Sequence, residues 1–481
     1  VSREPGRTTK RRALSAITGM SPGHSYCAYN NTIDGMERAV KERLFYISEN
    51  GKFSFPPLPR AGVFDRVVEE FEKVMKRRAV YVKPMDMLDF SNVFSGHKKQ
   101  RYLLATKALQ IEGIRERDAN TKYFMKFETT NWTEKPDPPP RGINPRSDKY
   151  LVALGIYIRP IEKLIYKAVE ETFGYKVVLK GMNHKERGEI ISQYWSEFRK
   201  PVAVAMDASR FEQSVSQDVL KFESRVYSAY FPGDKHFLKL MRWQLETKGR
   251  ARAPDGKLSF TVTGMRMSGD PNTSSGNCVG NSAMQFSFVK FLGITKHRVF
   301  LDGDDSVIII ENDDLAKVQK YAKQYFLNLG FRMKVEEPAH ILEKIVFCGS
   351  SPINVDGHYV MVRNPSKSLS KDVMSKTSLL SKTTFHRWCA AVGQGGCSLN
   401  SGIPIQHAFY SSLARAGTGY VPFKMDEYSP LSCRGKSTPV VSGSTRYSYF
   451  KAFGISPDAQ VDLENYYKSF DLHYDGAHEY L

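Results

Sequence analysis

Residues 297–310 read His-Arg-Val-Phe-Leu-Asp-Gly-Asp-Asp-Ser-Val-Ile-Ile-Ile. Two apolar, β-branched-rich runs flank Gly303-Asp304-Asp305, a pattern that predicts a hairpin. Glycine permits a tight turn, which puts two adjacent acids at the hairpin tip. Adjacent carboxylates repel, so their charge must be solvated, protonated or compensated by a cation. A solvated surface turn meets that condition as well as a metal site does, so the hairpin alone does not choose.

Immediately upstream lies Thr263-Gly264-Met265-Arg266-Met267-Ser268-Gly269-Asp270-Pro271-Asn272-Thr273-Ser274-Ser275-Gly276-Asn277, opening a helix that runs to about Leu292. Small hydroxyl, amide and glycine residues are poor core material. Beside a helix N-terminus they suit sugar and phosphate recognition. Further upstream, Pro201-Val202-Ala203-Val204-Ala205-Met206-Asp207 reads as a buried strand ending at an acid, followed by a turn and a helix from Gln213 to Tyr230. A carboxylate at such a strand end lies where α/β active sites form, although a helix-capping Asp has the same pattern. Downstream, Asp313 to Leu329 predicts an amphipathic helix, Gly330 to Glu336 a strand, and Ile345 to Pro352 a short strand and turn.

A chain of 481 residues exceeds one hydrophobic core, so two or three subdomains are expected. The 70 Lys+Arg against 51 Asp+Glu give a net charge of +19, which points to nucleic acid or an anionic membrane surface as partner. Six scattered cysteines, Cys27, Cys278, Cys348, Cys389, Cys397 and Cys433, show no zinc-site spacing and read as reduced thiols. No run approaches the roughly 20 apolar residues of a membrane span. The first residue is Val1, so a piece or downstream part of a longer product is expected, with any membrane anchor outside it.

Residues 1–30 read as a solvated, mobile basic arm, with RNA contact by Arg7 to Arg12 as the sharper reading. Helices are expected over Asp34 to Tyr46, Phe64 to Met75 and Tyr150 to Thr172. Ser95-Gly96-His97-Lys98-Lys99-Gln100-Arg101 is either a phosphate-gripping turn or a basic helix start. Tyr123 to Glu128 alternates like a strand. Lys135 to Arg146 then holds five prolines, which exclude helix and central strand and leave a stiff loop presenting Arg141 and Arg146. A rigid cationic loop suits a triphosphate, because little entropy is lost on binding.

Two-metal phosphoryl transfer requires separate carboxylates gathered around ions roughly 4 Å apart. Asp207 and the hairpin tip supply them if their strands lie side by side. Mg²⁺ suits such oxygen ligands, with Mn²⁺ a substitute. The sequence resembles a viral RNA-dependent RNA polymerase of the tombusvirus-like (Tombusviridae) group. Met206 to Phe211 resembles polymerase motif A. Ser268-Gly269-Asp270-Pro271-Asn272-Thr273 with Asn277 resembles motif B, and Gly303-Asp304-Asp305 motif C. Gly330 to Glu336 and Phe347-Cys348-Gly349 resemble motifs D and E. Lys126, Glu128, Arg141 and Arg146 resemble motif F, and Ser95-Gly96 with its basic run resembles the segment that takes in template. The order is preserved from about Tyr29 to Pro352; beyond that the match is by position only.

The resemblance implies an α+β right-hand fold with an antiparallel palm sheet. Its divisions would be an N-terminal arm over 1–30, an extension and fingers over 31–195, a palm over 196–355 with inserted fingers at about 217–262, and a thumb over 356–481. It implies template-directed RNA synthesis from NTPs, started without a primer. Asp207 and Asp304 would hold the metals, with Asp305 a weaker ligand and Lys334 the acid for pyrophosphate. Lys126, Arg141, Arg146, Glu212, Ser268, Thr273 and Asn277 would bind NTP. Ser95, Gly96, Lys98, Lys99, Arg101, Gly269, Phe347 and Cys348 would meet template or nascent RNA. A membrane-anchored auxiliary viral replication protein and host factors are the implied partners, at membrane-associated replication complexes in the host cytoplasm. One departure is Glu212, where the family has Asp; the extra methylene puts its ribose-selecting role with Asn277 in question. The rival readings are a reverse transcriptase-like polymerase and a non-catalytic RNA-binding or assembly protein.

Overall fold

In the computed structural model, which describes residues 1–17, 19–20, 23–49, 52–419, 440–476 and 479–480, helices surround several small sheets. Cys433 and Leu481 lie outside the described residues. The sheet that matters most has four antiparallel strands: β1 (Pro201–Ala208), β2 (His297–Asp302), β3 (Asp305–Glu311) and β4 (Met333–Val335), in the order β2-β3-β1-β4. Val299, Phe300 and Leu301 on β2 and Val307 to Ile310 on β3 are all buried, on both faces. Their continuous apolar runs are therefore those of interior strands.

The hairpin differs from its expected form in one respect. Asp302 pairs with Asp305, so the turn holds only Gly303, at φ +72°, and Asp304. Asp305 is the first residue of β3. The two acids thus have different backbones: Asp304 sits on the tip and Asp305 is held in the sheet.

The largest core packs this sheet against the helices Val63–Arg78, Asp148–Phe173, Gln217–Ser228 and Thr273–Phe291. The expected helix over Gln213 to Tyr230 is split. A turn at Phe211–Ser214 ends at Val215, and Ser216 caps a new helix by accepting the Val219 N–H. A second, five-stranded sheet runs Ser2–Arg3, Gly256–Thr263, Glu246–Ala253, Thr121–Met125 and Gly142–Ile143, with Ile33, Met36, Ala39 and Val40 of helix Ile33–Val40 packed on one face. Residues Ser95 to Arg101 resolve as a helix start, Ser95 preceding the helix Gly96–Glu112. A third body near the C-terminus gathers the helices Lys382–Leu399, Gln406–Ala416, Gly443–Phe453 and Pro457–Ser469 around Phe385, Phe409 and Tyr449.

Two expectations are corrected. The stretch from Ile345 is not a strand until Ser350; Cys348 and Gly349 form a turn at φ +50° and +69°, and the strand Ser350–Val355 then pairs with His358–Arg363. The basic N-terminal arm is not a free tail. Ser2–Arg3 pairs with Lys257 and Gly256 of the five-stranded sheet, while Leu14–Ala16 pairs with Met374–Ser375 and with Glu479–Tyr480. Leu14, Ala16 and Ile17 are buried. Their apolar side chains, lost from view in a basic composition, fasten the arm.

Candidate active site

The carboxylates meet across the central sheet. Asp207 on β1 stands directly opposite Asp305 on β3, and on its other side opposite Lys334 on β4. Asp304 reaches the same place from the turn. Burial raises the Asp305 carboxyl to about 6, reinforced by Asp304 and then Asp207. Asp207 is raised by burial, then Asp304 and Glu336, with Lys135 and Lys334 opposing. Asp304 is raised by burial and next by Glu212, with Arg141 opposing. Half-buried like charges that raise one another lack compensation, and a hard divalent cation bound by oxygen supplies it. The donor set fits Mg²⁺ or Mn²⁺. Among the described residues no three His, Cys, Asp or Glu side chains converge as a ready-made metal cage.

The turn is clamped from beneath by the helix Thr273–Phe291. The Asn281 amide donates to the carbonyls of Gly303 (3.1 Å) and Asp304 (3.3 Å), and the Gly303 N–H donates to Cys278 Sγ at 3.3 Å. Ser306 Oγ accepts from Gln285 at 3.1 Å and donates to the Met206 carbonyl at 3.1 Å, tying β3 to β1. Asp302, one residue before the turn, is neutralised by Arg187 at 2.5 Å and Lys180 at 3.5 Å. Sequence reasoning missed Asn281, Gln285 and Arg187. The signal for the first two was present: Cys278, Asn281 and Gln285 recur at helical spacing on one buried face. Nothing local marked Arg187.

Of the loop before that helix, Ser268 is exposed, and its Oγ accepts the Asn144 N–H at 3.2 Å. A Cβ on Gly269 would come within 2.6 Å of the Pro145 backbone, so only glycine fits there. The other polar residues hold the loop together. Thr273 Oγ1 donates to the carbonyls of Met267 (2.9 Å) and Asp270 (3.0 Å). Asn277 is 5% exposed and its Oδ1 accepts from Arg266 Nε at 3.3 Å. Arg266 is itself buried in an ion pair with Glu223.

Arg146 departs furthest from expectation. It does not line a triphosphate route: its side chain is 0% exposed, ion-paired with Asp270, and it also donates to the Ala119 carbonyl and to Thr247 Oγ1. A buried guanidinium is held by a buried carboxylate, because either charge alone in the interior is costly. Arg141 remains outside, 61% exposed and 3.8 Å from Glu128, which also pairs with Lys126 at 2.9 Å. The proline loop carrying Lys135 and Arg141 is pinned from the N-terminal segment. Arg38 forks onto Asp137 at 2.8 and 2.9 Å, and Arg43 donates to the Pro139 and Pro140 carbonyls. Burial, with Arg141 and Arg210 nearby, lowers Arg43 to about 10.

Lys334 is exposed and pairs with Glu336 at 2.8 Å. Asp207, Asp305, Lys334, Cys348 and Lys367 line a cavity of about 520 Å³. Phe347 is a second correction: only 2% exposed, it packs edge-on to Phe300 and beneath Arg187, leaving its ring unavailable to RNA. Exposed Cys348 instead stands beside Asp305. A second cavity, about 300 Å³, brings Lys98, Phe94 and Tyr102 together with Ser268 to Pro271. Lys98 lies 4.2 Å from the Phe94 ring centre, and Arg101 is engaged by Asp148 at 2.6 and 3.0 Å. Gly96 takes φ +58° at the head of that helix, and Lys99 is half-buried.

Comparison with known proteins is consistent across the chain. Residues 1–475 match a family model described as viral RNA dependent RNA polymerase. The chain is 34% identical over 469 residues to the RNA-directed RNA polymerase of Tobacco necrosis virus (strain D), covering 95% of this chain and 64% of that one. It is 36% identical over 480 residues to the enzyme of Tobacco necrosis virus (strain A), with 98% and 66% covered. Against that of Cucumber necrosis virus it is 36% identical over 458 residues, covering 95% and 56%. The chain therefore spans less than two thirds of the length of these relatives. With residues 1–475 matched by the family model, it belongs to the viral RNA-dependent RNA polymerase family, in its tombusvirus-like group.

Proposed function

We propose that this chain carries out template-directed RNA synthesis, transferring nucleotides from NTPs to an RNA 3′ end. The observation that carries the proposal is the pairing of Asp207 with Asp305 across the sheet, with Asp304 on the adjoining turn. Asp207 and Asp304 would hold Mg²⁺ or Mn²⁺, with Asp305 assisting. Bound there, the metal lowers the pKa of the attacking 3′-hydroxyl and stabilises charge on the phosphate. Arg141, Lys126 and Lys135 neutralise the incoming triphosphate from a loop that Arg38 and Arg43 keep rigid. Lys334, protonated and facing the cluster across β1, is the proton donor for pyrophosphate. The exposed Ser268 hydroxyl meets the ribose, while Thr273 and Asn277 shape the loop that presents it.

In this reading the four-stranded sheet is the palm, the five-stranded sheet and its helices the fingers, and the C-terminal helical body the thumb. Pairing of Glu246–Ala253 with Thr121–Met125 supports assigning the insertion at about 217–262 to the fingers. Primer-independent initiation, a membrane-anchored auxiliary replication protein, host factors and membrane-associated replication complexes in the host cytoplasm belong to the same proposal. No helix among the described residues is long and apolar enough to cross a membrane. The deciding experiment is Mg²⁺-dependent incorporation of NTPs on an RNA template. Asp304→Ala is expected to abolish it with the thermal transition retained. Undiminished incorporation by Asp304→Ala, or equal use of dNTPs by the unaltered protein, would overturn the reading.

A further inference from the structure

The five-stranded sheet has two unlike faces. Alternation along Glu246–Ala253 and Gly256–Thr263 turns Ala251, Ala253, Leu258, Phe260 and Val262 onto the core beneath helix Ile33–Val40. It leaves Lys248, Arg250, Arg252 and Lys257 exposed on the other face, where Lys122 and Phe124 join them from the neighbouring strand. Arg250 is in register with Lys122, and Arg252 with Lys257. Among the described residues none of these five cations makes an ion pair. Other surface lysines do find carboxylates: Lys41 meets Glu37, Lys73 meets Glu69, and Lys290 meets Glu70. Like charges directly opposite across strands destabilise a sheet, so the fold by itself gives no reason for this arrangement. Phe124, 47% exposed, stands among the cations, and Ser259, Thr261 and Thr263 fill the adjoining positions with hydroxyls.

This face looks away from the catalytic loop. Thr121 and Thr247, on the opposite face, are the residues that meet Arg146, and Arg146 holds Asp270. We propose that the outer face binds single-stranded RNA outside the catalytic cleft. Alternate residues on a strand lie about 6.8 Å apart, so Lys248, Arg250 and Arg252 form a straight, regular row of cations for an extended phosphate backbone. Phe124 offers a platform on which one base stacks. Beside Lys248 the row ends at a hollow of about 240 Å³ walled by Arg117 and Trp243 but also by Glu116 and Glu246. An anionic membrane would answer the same charges. Among the described residues Phe124 is the one large apolar side chain exposed on these three strands, too little to insert into a bilayer, which favours RNA. That the polyanion is RNA rests on the polymerase reading; the charged face does not.

The test uses the full chain, with Lys248→Gln, Arg250→Gln and Arg252→Gln combined, and Phe124→Ala separately. Binding of an unstructured RNA of about 30 nucleotides is followed by fluorescence anisotropy across a salt series. The triple variant is expected to bind about tenfold or more weakly, with a salt slope shallower by about 2, because each phosphate contact contributes about 0.7 on a single strand. Phe124→Ala is expected to weaken binding about tenfold with an unchanged slope. Incorporation on a template just long enough to fill the cleft is expected to stay at the unaltered rate in all variants. A control that removes the same charge elsewhere (Lys73→Gln, Lys167→Gln and Lys317→Gln) separates a local track from net charge. Equal losses in control and triple variant, unchanged affinity in the triple variant, or face-dependent binding of anionic vesicles without RNA binding would each overturn the proposal. If the unaltered protein binds RNA through this face but incorporates nothing, the polymerase reading fails and the RNA-binding face stands.

Discussion

At the scale of single residues, charge burial separates groups that the sequence leaves alike. Asp305 titrates at about 6 in the folded metal-free protein, against 3.8 for its ordinary value. Between those values the folded state holds more protons than the unfolded one, so stability falls as pH rises through the interval. Because the buried imidazoles of His184, His297 and His407, held below their ordinary value, lose stability over the same range, the Asp305 effect is read as a difference: the melting-temperature advantage of Asp305→Asn over the unaltered metal-free protein should shrink as pH is lowered from about 7 to about 5. Stabilisation by Mg²⁺ should be largest above about pH 6 and fade below it; scanning fluorimetry with and without Mg²⁺ reads both. The two arginines once paired in a single role part in the same way. Arg141→Ala should fold normally and raise the NTP KM about tenfold or more. Arg146→Met should leave Asp270 buried and unpaired, at a cost of about 3–5 kcal/mol, and show first as lost stability. Glu212, whose charge bears on Asp304, should tolerate Glu212→Asp with RNA synthesis retained; loss of synthesis in a folded Glu212→Asp protein would contradict this.

At the scale of elements, the central feature is a helix holding a turn. Asn281 spans the Gly303 and Asp304 carbonyls, so Asn281→Ala removes two hydrogen bonds worth about 1 kcal/mol each. The larger effect should fall on incorporation, because a small displacement of Asp304 lowers kcat by about 10-fold to 100-fold. Steady-state kinetics beside a melting curve would separate the two; an unchanged kcat would show that the turn holds itself. Much of this was legible in the sequence. The runs of β2 and β3, the strand ending at Asp207 and the helix after the Ser268 loop carry their periodicity locally. Illegible were the pairings between distant charges. Arg146 with Asp270 and Arg187 with Asp302 join residues that no spacing rule relates, and a proline-rich loop with two arginines looks the same whether one points inward or not. Ser216 was readable as a helix cap, yet the apolar rhythm from Gln213 to Tyr230 ran across it.

At the scale of the molecule, four buried apolar clusters among the described residues are tied by segments that cross between them. Phe71 illustrates the main one: its ring meets Phe173, Phe222 and Phe286 from three different helices. Phe71→Ala should cost about 3–5 kcal/mol, checked by denaturant unfolding. The N-terminal arm is the longest tie. It begins on the five-stranded sheet and continues as a strand beside Met374–Ser375. Composition hid this, since basic residues predict a solvated tail, while Leu14, Ala16, Ile17 and Met20 betray a buried one. The arm also sets an order of events during synthesis. Leu14–Ala16 leaves the ribosome among the first residues of this stretch, while the strand that receives it is made only after the catalytic hairpin. Until Met374 emerges, the nascent chain can complete its carboxylate cluster yet must carry an unmatched apolar strand. The clasp between Leu14–Ala16 and Met374–Ser375 is thus among the last parts of this stretch to close.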